Sequence, residues 1–116
     1  MAGLDIALLV LNAGVMQTGI PFDMNTDKEV ESVIRVNGLH VIYLAKALVN
    51  QMRSREKRSG LVIVSSGLAN ASGVGIATYC ATKTLVSSFG VGIHYENKDR
   101  IDVLVWEAGP GQTNLG

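Results

Sequence analysis

The sequence is poor in several residue types, and each scarcity excludes a class of protein. Its 116 residues contain one cysteine, Cys80, so no internal disulfide can form and no oxidising compartment is implied. That cysteine and the two histidines are scattered, without the spacing of a metal site. Ten basic and ten acidic side chains cancel, which gives no sign of nucleic acid or an anionic membrane surface as a partner.

Membrane-directing patterns are also lacking. Residues 1–3 do not have the basic character with which a signal peptide opens. The longest apolar stretch, residues 6–22, is interrupted by polar residues, several glycines and Pro21, so we expect no membrane span. We therefore expect a cytoplasmic protein.

What the chain does contain is the composition of one folded α/β domain. Apolar residues make up 47% and charged residues 17%, and the length leaves room for a single domain. Apolar runs at 6–11, 61–64 and 101–106 are typical of parallel strands covered on both faces. Two helical segments separate them, and this order predicts a parallel sheet with right-handed crossovers.

The first helical segment opens with the capping-box spacing of Thr26 and Glu29. Asn37 falls on its apolar stripe, and a buried amide without a partner costs about 1–3 kcal/mol. That partner is either a carbonyl of a neighbouring loop or a bound water in a proton relay. Gly38 follows directly, and the pair indicates a local kink, since glycine weakens a helix. The basic segment 53–59 is interpreted as a solvated helix end.

Residues 65–83 carry the strongest chemical signal. Ser66 follows the second apolar run, Tyr79 comes thirteen positions later, and Lys83 lies four beyond that, on the same helix face. A phenol has a reference pKa of about 10, and a nearby ammonium favours its ionised form. A serine hydroxyl can stabilise charge developing on a substrate oxygen. These are the parts of a proton-transfer site for a carbonyl or an alcohol. The alternative is a surface tyrosine–lysine pair beside an ordinary loop.

Taken in order, these motifs resemble the active-site segments of the short-chain dehydrogenase/reductase family. Ser66 and the segment 79–83 look like its catalytic motif, and Asn37 resembles its active-site asparagine. The segment 11–14 resembles the Asn-Asn-Ala-Gly motif after its fourth strand, with Leu11 in place of the first asparagine. Pro110-Gly111 resembles the turn after its sixth strand. The Ala-Thr-Lys variant at 81–83 and the opening at 4–6 are most similar to the ketoacyl-CoA reductase and hydroxysteroid dehydrogenase branch.

The resemblance implies hydride transfer between NAD or NADP and a small-molecule carbonyl/alcohol substrate. It makes Tyr79 the general acid/base and gives Lys83 two tasks, lowering the pKa of the phenol and holding the nicotinamide ribose. It assigns the substrate carbonyl to Ser66 and a relay water to Asn37. The cofactor-binding residues that it implies are Asn12, Ala13, Gly14, Tyr79, Lys83, Pro110, Gly111 and Thr113. No metal is implied.

Residues 1–116 correspond to only part of the family's domain. The Gly-rich opening half and the last strand of the family have no counterpart in the sequence. We therefore expect an incomplete Rossmann-type fold of three parallel strands and two helices, in a truncated chain that is inactive alone. The alternative is a non-catalytic scaffold or assembly module. Because same-handed crossovers leave one apolar sheet face bare, we also expect a homo-oligomer or a complementary chain.

Overall fold

The computed structural model describes residues 5–12, 20–66, 76–109 and 112–114. Three strands, β1 (Leu8–Leu11), β2 (Ser59–Ser66) and β3 (Ile101–Gly109), are parallel and adjacent in chain order. They confirm the expected β-α-β-α-β order and fold class. A short strand, β4 (Gln112–Asn114), pairs antiparallel with the end of β3. It was not expected, because three polar residues carry no hydrophobic pattern.

The first crossover is one long helical segment with a change of pitch inside it. A 3-10 turn at Phe22–Met24 leads into α1 (Asp27–Ile34), a π-helical turn (Arg35–Leu39) and α2 (His40–Arg53). The capping prediction is confirmed, since the hydroxyl of Thr26 accepts a hydrogen bond from the Glu29 amide at 3.1 Å. The second crossover is α3 (Ala77–Asn97), the helix that carries Tyr79 and Lys83.

Both crossovers lie on one side of the sheet, as their common handedness requires. Leu61 and Ile63 of β2 and Ile101 of β3 are fully buried there, in one cluster with α2 and with Val86 of α3. We call this side the covered face. Its α2 members are Val41, Ala45, Leu48 and Met52. A β-carbon on Gly90 would lie 2.5 Å from Val105 Cγ2, so this glycine lets α3 rest directly on β3.

The opposite side of the sheet is equally apolar but has no such cover among the described residues. In register across the three strands stand Val10, Val62 and Leu104, with Leu8 one row below. These four residues form what we call the open face. Leu8 is 62% exposed, Val10 50% and Leu104 40%. Apolar side chains aligned in a row across a sheet are a surface that favours association.

The basic segment after α2 is not simply solvated, which corrects the sequence interpretation. Arg58 forms an ion pair with Asp102 at 2.7 Å and also donates to the carbonyls of Lys98 and Asp99. Arg55 pairs with Asp5, also at 2.7 Å. The guanidinium partners lower the pKa of both aspartates. The pattern misled because a run of charges looks the same whether or not each charge has a partner.

Among the described residues, one helix is long and apolar enough to cross a membrane by length and composition alone. It is the continuous segment Asp27–Arg53. Its apolar stripe packs on the covered face, and a buried core helix passes the same test. This property is therefore only a weak sign of a membrane span.

Candidate active site

The carboxyl ends of parallel strands meet at one edge of a sheet, where open α/β folds bind their ligands. At this edge Asn12 follows β1, Ser66 ends β2, and Gly109 ends β3. The register places Ser66 beside Ala108 of β3, and Ala108 beside Thr113 of β4. The backbone thus sets Ser66 and Thr113 in one row, two strands apart.

Tyr79 and Lys83 stand on the first two turns of α3. The Lys83 ammonium lies 5.8 Å from the centre of the Tyr79 ring, within the range of a cation–π contact. It also makes a long hydrogen bond, 3.4 Å, to the carbonyl of Val64 in β2. Lys83 is only 5% exposed, and this burial lowers the pKa of its ammonium. A desolvated cation is therefore held between a phenol ring and the end of a strand.

Asn37 lies in the π-helical turn and is fully buried. In that turn the amide of His40 bonds the carbonyl of Arg35, one residue further back than in an α-helix. The turn packs against α3, since a β-carbon on Gly38 would lie 3.5 Å from Leu85 and 3.9 Å from Thr82. The expected kink is therefore a π-helical turn that packs on α3, and Asn37 is buried within it.

Two further hydroxyls join this region, and the sequence did not single them out. The hydroxyl of Ser65 donates to the backbone carbonyl of Lys83 at 3.1 Å, and Ser87 donates to Ser65 at 2.7 Å. Ser65 is buried on the same side of β2 as Leu61 and Ile63. The alternation of side chains along a strand was the available signal, since it directs Ser65 toward the helices.

The structure describes the remaining expected site residues only in part. Ala13, Gly14, Pro110 and Gly111 lie outside the described residues. Ser66 and Thr113 are described for their backbone alone. Within the described ranges, no group of three or more histidine, cysteine or acidic side chains could hold a metal ion.

Comparison with protein-family models decides the family. Residues 2–116 match the model of the short chain dehydrogenases. The chain belongs to this family.

Curated relatives of this short-chain dehydrogenase chain are much longer than it is. It is 32% identical over 100 residues to 17-beta-hydroxysteroid dehydrogenase type 3 of Homo sapiens, a match that covers 84% of this chain and 32% of that protein. The enzyme of the same name from Rattus norvegicus is 30% identical over 102 residues, which is 86% of this chain and 33% of that protein. The chain thus spans about a third of the length of these relatives.

Solved structures of short-chain dehydrogenases share its fold. A short-chain dehydrogenase from Streptomyces avermitilis is 33% identical, with a TM-score of 0.81 over 93% of this chain and 39% of that one. A gluconate 5-dehydrogenase from Burkholderia cenocepacia, in complex with NADP and tartrate, is 26% identical with a TM-score of 0.83, covering 93% and 42%. Serine dehydrogenase from Escherichia coli, at 24% identity and a TM-score of 0.85 over 90% and 49%, supports the fold alone.

Proposed function

We propose that this chain carries the proton-transfer part of an oxidoreductase that uses NAD or NADP and a carbonyl/alcohol substrate. The observation that supports this most directly is the buried Lys83 ammonium beside the Tyr79 ring, at the carboxyl edge of a parallel sheet. A surface pair without a function would not need a desolvated lysine, because burying a cation is costly. The family membership supports the same reaction class.

In the proposed reaction the residues handle the proton. The nicotinamide, when bound, supplies the hydride to the carbonyl carbon. Tyr79 gives its hydroxyl proton to the carbonyl oxygen, and the neighbouring Lys83 charge stabilises the phenolate that is left. Ser66 orients the carbonyl, and Asn37 holds a water that returns a proton to Tyr79. Oxidation of the alcohol is the reverse, with the phenolate as the base.

Lys83 also fits a nicotinamide ribose. An ammonium has three N–H donors, and the described residues supply it with one acceptor, the Val64 carbonyl at 3.4 Å. In the proposed site this ammonium also donates to the ribose hydroxyls. We propose further cofactor-binding residues after two of the strands. After β1 these are Asn12, Ala13 and Gly14, and after β3 they are Pro110, Gly111 and Thr113.

The curated relatives suggest a substrate class to test first. Both are 17-beta-hydroxysteroid dehydrogenases, so we propose a 17-ketosteroid and its alcohol. The domain bounds 1–116, the cytoplasmic location, the inactivity of the chain alone and the homo-oligomer or complementary chain stay predictions.

The decisive variant is Tyr79→Phe in a full-length context that supplies the family's Gly-rich opening half and last strand. We expect the rate of 17-ketosteroid reduction to fall at least about 10²-fold, because only the titrating oxygen is removed. The assay follows the loss of reduced-cofactor absorbance, with NADH and NADPH each tested. Tyr95→Phe, on the same helix but 68% exposed, is the matched control and should keep full activity. A folded Tyr79→Phe protein with unchanged turnover would overturn the assignment.

A further inference from the structure

Ser65, Ser87 and the Lys83 carbonyl form a closed hydrogen-bonded group between β2 and α3. Ser87 donates through its hydroxyl to Ser65, and Ser65 donates to the Lys83 carbonyl. In an α-helix that same carbonyl accepts the amide of the residue four positions on, which is Ser87. Ser65 is 3% exposed, so its bond to the Lys83 carbonyl is shielded from competing water, while the bond from Ser87 is partly buried. Directional bonds shielded in this way fix a geometry firmly.

This group matters for Lys83 because β2 contacts that lysine twice. Ser65 binds its backbone carbonyl, and the preceding residue, Val64, accepts from its ammonium at 3.4 Å. Farther along α3, the contacts with the sheet are apolar, such as Gly90 resting on Val105. Apolar contacts are non-directional and do not define the position of a helix along a strand. The hydrogen bonds of the serine hydroxyls are directional, so they can fix the position of α3 along β2.

We propose that Ser65 and Ser87 are positioning residues that fix the first turns of α3 on β2 and so hold the Lys83 ammonium beside Tyr79. The catalytic importance of this Lys83 position rests on the proposed function, but the experiment that tests the position does not. Ser65 acts on Lys83 directly, and Ser87 acts through Ser65. Loss of either hydroxyl loosens the turn and lets water reach the ammonium.

The test is the titration of Lys83 in the full chain labelled with carbon-13 at the lysine Cε, followed by NMR. In the parent chain Lys83 titrates below the ordinary value of a lysine, because burial lowers its pKa. Ser65→Ala is expected to raise that pKa, because water then reaches the ammonium, and Ser87→Ala to raise it by less. The double variant should match Ser65→Ala alone, since one hydroxyl works through the other.

Ser88→Ala is the matched control, because Ser88 is the next residue on α3 and is exposed. It should leave the pKa of Lys83 unchanged. An unchanged value in folded Ser65→Ala, or fully additive effects in the double variant, would overturn the proposal. If Ser65→Ala does not fold, the pKa of Lys83 is compared between Ser87→Ala and Ser88→Ala, and equal pKa values would overturn the proposal. No turnover is measured, so this result is independent of the Tyr79→Phe experiment.

Discussion

The covered and open faces of the sheet both consist of apolar residues, but they differ in burial. Leu61 and Ile63 on the covered face are fully buried, whereas Leu8 and Leu104 on the open face are 62% and 40% exposed. The strands alone do not distinguish these sides. The handedness of the crossovers does, because two right-handed connections running in the same direction deliver both helices to one side.

The candidate site belongs to the covered side. Asn37, Ser65 and Lys83 are each at most 5% exposed, and hydrogen bonds join Ser65 and Lys83 between β2 and α3. The open face carries none of the described polar contacts of the site. The two faces therefore have separate tasks. One carries the core and the described hydrogen bonds of Lys83, and the other presents an apolar surface.

The largest contrast should come from the same substitution on each face. Leu61→Ala on the covered face should cost about 2–5 kcal/mol of unfolding free energy, because it leaves a cavity in the core. Leu8→Ala on the paired strand should change that free energy by about 0.5 kcal/mol or less. Urea denaturation in dilute solution measures both. Equal losses would mean that Leu8 is as well covered as Leu61, and the contrast between the faces would fail.

A smaller contrast in unfolding free energy is expected within α3, between Gly90 and Gly92, which the sequence alone does not distinguish. Gly90→Ala places a β-carbon 2.5 Å from Val105 on the covered face, and the resulting strain should cost about 1–3 kcal/mol. Gly92→Ala meets nothing within 4 Å and should stabilise the helix by up to about 1 kcal/mol. Thermal melts followed by circular dichroism compare the two. Opposite signs are expected, and a stabilising Gly90→Ala would show that α3 does not rest on β3.

The smallest effect on folding free energy, but the clearest effect on assembly, should come from charging the open face. We expect the unmodified chain to self-associate or aggregate, and Val10→Lys with Leu104→Lys to shift it toward the 12.3 kDa monomer. Sedimentation at several concentrations is the measurement. Tyr43→Lys, on the exposed side of α2, is the control and should leave association unchanged. A monodisperse parent chain with a cooperative melt would contradict this prediction.

Much of the fold was predictable because it follows from local patterns. Three apolar runs, one capping pair and a helical stripe are readable in sequence, and each produced the expected element. Element ends were less predictable. The apolar run at 6–11 begins before β1, whose strand covers only Leu8–Leu11, since a run of apolar residues does not show where its pairing partner begins. The arginines after α2 were misread for a related reason, because their aspartate and carbonyl partners lie some 40 or more residues away in sequence.

The sequence by itself determined the order of strands and helices, the spacing that puts Tyr79 and Lys83 on one helix face, and the motifs that the family shares. These depend on neighbours within a few residues, so a linear pattern contains them. Only the tertiary structure decided that Ser65 donates to the Lys83 carbonyl, that Gly90 rather than Gly92 touches the sheet, and that a π-helical turn buries Asn37. Each of these depends on how α3 docks on β2 and β3. Docking is set by packing between segments far apart in sequence, and no local pattern encodes it.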